Sequence, residues 1–172
     1  ARPLILLIQH AISSEIGDAA RQMEITLRAV AALGLPTLVG YPNSDAGSRD
    51  IIATIQHFEK MTPNIRSYRN LPRDVFLGVL RQAAVLLGNS SLGILEAPFL
   101  KLPVVNVGNR QMKRQHAENV LYVGHDQAEI VRAVRKALED EAFQAQVKAC
   151  ACPFGDGHAA VRIADRLAAT PI

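Results

Sequence analysis

The chain has 172 residues, 49% hydrophobic and 20% charged, enough for one well-formed core and too few for two ordinary domains. Its formal charge is +3, but Lys and Arg are scattered and no Trp accompanies them, which argues against a nucleic-acid face and suits an anionic small ligand equally well. No apolar run approaches the length of a membrane span, and Leu4 to Ile8 is too short and wrongly flanked for a signal peptide, so a cytoplasmic protein with no membrane partner is expected.

In chain order, the first apolar run predicts a strand over 4–9. It starts so early that the chain reads as cut just upstream of a strand, although a natural protein could equally begin there. Residues 14–33 carry Ile16, Ala19, Ala20, Met23, Leu27 and Val30 at spacings of three and four, which predicts a helix with one apolar stripe on the sheet. Gly34 supplies its stop and Pro36 forbids continuation. Strands follow at 37–41, 65–68, 85–88, 104–107 and 120–123, alternating with helices at 48–60, 73–83, 92–100, 127–138 and 158–169. Such alternation marks βαβ units. The expected class is therefore α/β: a Rossmann-like, doubly wound parallel sheet of about six strands, in a single nucleotide-binding domain over 1–172. There is no internal repeat and no Pro/Ser-rich linker. Cys150 and Cys152, separated by a single residue, are poorly placed for a disulfide and too few for a structural zinc, so two reduced thiols are expected, with no metal site and no cofactor.

Ligands of parallel sheets sit beyond the carboxyl ends of the strands, which directs attention to the loops after Gln9, Tyr41, Tyr68, Gly88 and Val107. In Gly88-Asn89-Ser90-Ser91-Leu92-Gly93, small residues allow close backbone approach, hydroxyls donate, and a helix N-terminus offers N–H groups to an anion. Ser90 and Ser91 thus form a candidate diphosphate cradle, while Asn89 or Ser90 as a mere helix cap is the plainer alternative. Neither G-x-G-x-x-G nor a P-loop is present, and the G-x-S-x-G spacing of a hydrolase elbow is missing. Glu96, one turn further along, would repel phosphate but could accept ribose hydroxyls; alone it also reads as a solvated surface residue. Arg110 in Gly108-Asn109-Arg110-Gln111 can bind an oxyanion bidentately. His10, at the end of the first strand, can donate a proton or hydrogen bond to a leaving phosphate, or be structural. Asn43, within Pro42-Asn43-Ser44-Asp45-Ala46-Gly47, can contact a ligand or simply build a turn. Each signal is weak singly, and their convergence on one sheet edge is what gives them force.

Gln9-His10, Pro42-Asn43-Ser44-Asp45-Ala46-Gly47, Gly88-Asn89-Ser90-Ser91-x-Gly93-x-x-Glu96, Gly108-x-Arg110-Gln111-x-x-Arg114 and Phe154-Gly155-Asp156-Gly157 together resemble the UDP-N-acetylglucosamine 2-epimerases in order and spacing, over nearly the whole chain. Asn-Ser-Ser and Asn-Arg-Gln are similar to the hydrolysing branch, which releases N-acetylmannosamine for sialic-acid synthesis, and His10-Ala11-Ile12-Ser13-Ser14 replaces the His-Arg-Arg-Glu-Asn string of the non-hydrolysing branch. The resemblance implies a GT-B-type fold of two Rossmann-like domains, of which this chain matches the carboxyl-terminal one. It further implies that His10 is the catalytic histidine that assists UDP departure. Ser90 and Ser91 would hold the diphosphate, Glu96 the ribose, Arg110 and Asn43 the phosphate or sugar end, and the backbone around Leu71 the uracil. The carboxylates that move the sugar C2 proton would lie in the amino-terminal domain, with no counterpart here. Lys113, Leu92 and Phe154 depart from the family pattern, the first adding charge and bulk beside Arg110. Expected partners are UDP, UDP-N-acetylglucosamine and the missing amino-terminal domain, with a homodimer as a candidate assembly. Alternatives are a non-hydrolysing or diacetamido-sugar epimerase, a GT-B glycosyltransferase, and a non-catalytic UDP-binding module.

Overall fold

A computed structural model describes residues 2–170. Its centre is one sheet of six parallel strands in the order β3-β2-β1-β4-β5-β6. The strands are β1 (Leu4–Ile8), β2 (Thr37–Gly40), β3 (Ile65–Tyr68), β4 (Ala83–Gly88), β5 (Val104–Val107) and β6 (Val120–Val123). The order reverses between β1 and β4, which pair in parallel from Ile5 with Val85 to Ile8 with Gly88. This is the doubly wound arrangement predicted from the alternation, and the reversal opens a crevice at the carboxyl ends of those two strands.

Both faces of the sheet are covered, so its strands are apolar on both sides. Ile5 and Leu7 of β1 join one buried cluster with Met23, Leu27 and Val30 of α1 (Ala19–Leu33), Ile51 and Ile55 of α2 (Ser48–Met61), and Ile130 and Val134 of α5 (Gln127–Glu139). Leu6 and Ile8 point the other way, to a smaller cluster with Leu80 of α3 (Arg73–Gln82) and Leu92 of α4 (Leu92–Leu95). Each fully buried Leu or Ile contributes roughly 1.5–3 kcal/mol by leaving water.

The helices differ from expectation in three places. The helix predicted over 14–33 begins instead as a 3-10 segment, Ser13–Asp18, with Glu15 outside helical geometry at φ −128°, ψ 27°, and α1 proper starts at Ala19. The helix predicted over 92–100 breaks at Glu96: Pro98 has no N–H to donate and its ring crowds the carbonyl four residues back, so Ala97–Leu100 continues as a 3-10 turn. A helix absent from the sequence reading, α6 (Glu141–Ala149), follows α5 directly, its N-terminus capped by Asp140, whose carboxylate accepts from the Phe143 N–H at 2.8 Å. The final helix, α7 (Ala159–Ala168), buries none of its residues.

Candidate functional site

The carboxyl ends of β1 and β4 approach unusually closely. Gly88 sits at φ +120°, and a Cβ there would lie 2.1 Å from the Ile8 carbonyl oxygen, so only glycine fits. The contact brings the loops after the two strands side by side, and Asn89 joins them. Its side chain, fully buried, accepts from the His10 N–H at 2.7 Å and donates to the His10 carbonyl at 2.9 Å. The Asn89 N–H donates to the Ile8 carbonyl at 3.1 Å. Asn89 is therefore not a helix cap; it clasps the first loop to the fourth.

The Asn89 carbonyl in turn accepts from two side chains of the loop after β5: Arg110 Nη1 at 3.2 Å and the buried Gln111 Nε2 at 2.9 Å. From the other side, the Asn43 N–H donates to His10 Nδ1 at 3.1 Å. With Nδ1 accepting, the ring proton resides on Nε2, an assignment inferred from the bonding pattern. His10, Asn43, Asn89 and Arg110 are thus linked by hydrogen bonds across the loops after β1, β2, β4 and β5. Burial holds the His10 pKa below its ordinary value, the Arg110 guanidinium adds to the effect, and Asp45 opposes it. Near neutral pH the ring is uncharged and carries one N–H donor.

Ser90 and Ser91 follow Asn89 into α4. The cradle differs from its expected form, because α4 has only four residues and its first N–H groups are already used. Leu92 N donates to Ser90 Oγ at 3.3 Å, Gly93 N to the Ser90 carbonyl and Ile94 N to the Ser91 carbonyl. What this segment offers to an anion is hydroxyl protons and the Arg110 guanidinium, because a four-residue helix lacks the several aligned turns that give a helix dipole its strength.

Beside His10, on the β2 and β3 side, lies a cleft of ≈ 310 Å³ that Leu71 lines together with Ile8, Tyr68, Arg73 and Phe76. The Tyr68 phenol is pushed up to about 12 by burial and stays protonated. Glu96 reaches the rim of this cleft, paired with Arg73 at 2.5 Å. The structure therefore gathers His10, Asn43, Ser90, Ser91 and Arg110 around the crevice, and connects Glu96 to the Leu71 cleft through Arg73. It does not bring in Phe154-Gly155-Asp156-Gly157: Asp156 pairs with Arg162 at the surface. Sequence reasoning missed the clasp by Asn89, the buried anchor Gln111, and the cleft residues Tyr68, Arg73 and Phe76. The aromatic pair, eight residues apart around a strand end, was the one available signal.

Comparison with known proteins agrees with this fold. A family profile described as UDP-N-acetylglucosamine 2-epimerase matches residues 1–168. A protein of Legionella pneumophila named "UDP-N,N'-diacetylbacillosamine 2-epimerase (hydrolyzing)" is 33% identical over 171 residues, covering 99% of this chain and 44% of that protein. The "Polysialic acid biosynthesis protein P7" of Escherichia coli is 32% identical over 112 residues, 65% of this chain and 28% of that protein. The crystal structure of UDP-GlcNAc 2-epimerase from Neisseria meningitidis bound to UDP-GlcNAc superposes with a TM-score of 0.81 at 16% identity, covering 98% of this chain and 45% of that one, which establishes a shared fold. The chain thus spans less than half the length of the proteins it matches.

Proposed function

Since the chain belongs to the UDP-N-acetylglucosamine 2-epimerase family, we propose that it is the carboxyl-terminal, UDP-holding half of a hydrolysing epimerase acting in the cytoplasm. The observation that carries this reading is the hydrogen-bonded set His10, Asn43, Asn89 and Arg110 at the switch point of the sheet, where nucleotides bind in open α/β folds.

In the proposed reaction a base removes the sugar C2 proton as the anomeric C–O bond breaks; the electron pair goes to the departing UDP, and the unsaturated sugar is then hydrated to the free 2-epimer. The carboxylates that take the C2 proton belong to the other half of the enzyme. This chain handles the leaving group. Ser90, Ser91 and Arg110 take up charge developing on the diphosphate, and His10 Nε2–H faces the leaving oxygen as donor. A bound diphosphate counters Arg110 and raises the His10 pKa, making a proton available where negative charge appears. Glu96 accepts the ribose hydroxyls, with Arg73 fixing its carboxylate, and the Leu71 cleft receives the uracil.

The 33% identical relative is named for a diacetamido sugar and as hydrolysing, and this favours a second reading in which the substrate is a UDP-diacetamido sugar. Incubation of the complete two-domain protein with each UDP-sugar, without acceptor, tests both. Free 2-epimer and UDP in equal amounts support the hydrolysing reading. A UDP-linked epimer assigns the non-hydrolysing one, and unchanged substrate overturns epimerase function in favour of glycosyl transfer.

A further inference from the structure

The carboxylate of Glu15 links two parts of the molecule that are distant in sequence. Glu15 lies in the 3-10 segment Ser13–Asp18, which buries none of its residues, so apolar packing does little to hold that segment in place. Both carboxylate oxygens are nevertheless engaged. Oε2 accepts from Gln22 Nε2 at 2.6 Å, and Oε1 accepts from Asn109 Nδ2 at 3.0 Å, 94 residues along the chain. Gln22 is a buried residue of α1, and Asn109 precedes Arg110 in the loop after β5. Hydrogen bonds to a carboxylate are roughly twice as strong as neutral ones. The bond from Gln22, and after it the bond from Asn109, hold the Glu15 pKa below the usual carboxylate range, so the side chain is ionised at neutral pH.

The loop that carries Arg110 is fixed at its two ends by other contacts. Asn106 Nδ2 donates to the Gly108 carbonyl at 3.0 Å, and the buried Gln111 Nε2 donates to the Asn89 carbonyl at 2.9 Å. Between these anchors, Arg110 Nη1 reaches the Asn89 carbonyl at 3.2 Å and the Asn109 side chain reaches Glu15. Among the described residues no carboxylate pairs with Arg110, so its charge is left for a ligand. Glu15 thus steadies the neighbour of the guanidinium without neutralising the guanidinium. The same stretch of α1 also reaches the other side of the crevice: Thr26, one turn beyond Gln22, donates through Oγ1 to Gln9 Oε1 at 2.8 Å, and Gln9 precedes His10.

We propose that Glu15 is a positioning residue for Arg110: through Asn109 it ties the guanidinium-bearing loop to the stretch of α1 that also holds Gln9, and so sets Arg110 against His10. The inference rests on the UDP-holding role proposed above for Arg110. A misplacement of about 1 Å at a group that orients a reactant can cost about 10²-fold in rate, so a single anchoring bond at this loop has a measurable effect.

The test is a double-mutant cycle on UDP affinity, read together with ¹⁵N NMR of Arg110 in the ligand-free chain. Glu15→Ala is expected to weaken UDP binding about tenfold in the wild-type background and less than about twofold in the Arg110→Ala background. In the ligand-free chain it should speed exchange between the two Nη groups of Arg110 at least about threefold, as the bond to Asn89 loosens. A merely structural role would lower Tm and move neither readout. Asn109→Ala, at an exposed position, removes the same bond from its other end and must reproduce both effects, which keeps the proposal falsifiable if Glu15→Ala does not fold. Equal losses in the two backgrounds, an undiminished UDP affinity, or unchanged Arg110 exchange would each overturn it. A wild-type chain that fails to bind UDP would count against the UDP reading, and the Arg110 exchange would then decide this proposal by itself.

Discussion

Asn89 holds His10 by both of its backbone groups, accepting from its N–H at 2.7 Å and donating to its carbonyl at 2.9 Å. The same residue's carbonyl anchors Arg110 and Gln111, so one buried residue, through its side chain and its backbone carbonyl, sets the register between His10 and the guanidinium. Asn89→Ala leaves two backbone groups of His10 unpaired beside the core, at a cost on the order of 1–3 kcal/mol each. We expect a clear drop in Tm by calorimetry together with weaker UDP binding. Asn89→Asp keeps the acceptor for the His10 N–H but sets a carboxylate against a carbonyl and an incoming anion, so its loss of UDP affinity should exceed that of Ala.

His10→Ala in the complete two-domain protein should lower turnover by roughly 10²–10⁴ while changing the Kd for UDP by less than about tenfold. Steady-state kinetics paired with UDP titration measures both. Equal losses would reassign His10 to ligand contact.

The depressed pKa values of His10 and His125 fix the sign of a pH effect. In the unfolded chain these rings take up protons around 6.5, while burial keeps the folded ones neutral to lower pH. The unfolded state thus binds more protons in that window, and folding stability falls as pH drops from about 6.5 towards the folded values. Urea denaturation across that range should show this slope in the ligand-free chain, and His10→Gln should flatten part of it. A slope of opposite sign would mean the rings are held protonated.

Glu96 and Arg73 form an exposed pair, worth less than about 1 kcal/mol to stability. Glu96→Gln should therefore leave Tm nearly unchanged but weaken UDP binding. Its effect on 2′,3′-dideoxy-UDP should be much smaller, since the hydroxyls proposed to donate to the carboxylate are missing from that ligand. Comparing both ligands on both proteins isolates the ribose contact; identical losses would remove Glu96 from the ribose.

The sheet was legible because its strands are short apolar runs separated by helical spacings, a pattern fixed by burial on both faces. The places that were not legible have local causes. At Glu96 an apolar helical period continues through Pro98, and period was followed where the missing N–H decides. At α6 the buried stripe is only Phe143 and Val147, too brief to stand out beside α5. The candidate site was read from residue types at strand ends, and of those His10, Asn43 and Arg110 are joined by hydrogen bonds. How they meet was hidden: Asn89 looks the same in a sequence whether it caps a helix or clasps a strand end 79 residues away, and Gln111 gives no sign that its amide is buried.

Calorimetric titration of UDP into the purified chain, repeated with Ser91→Ala and Arg110→Ala, bears most directly on UDP recognition at this sheet edge. Saturable binding, weakened about tenfold or more by Arg110→Ala and less by Ser91→Ala, with Arg110→Lys restoring only part because an ammonium cannot make the bidentate contact, is the result expected. UDP that fails to bind, or binds equally well to all of these proteins, would contradict it.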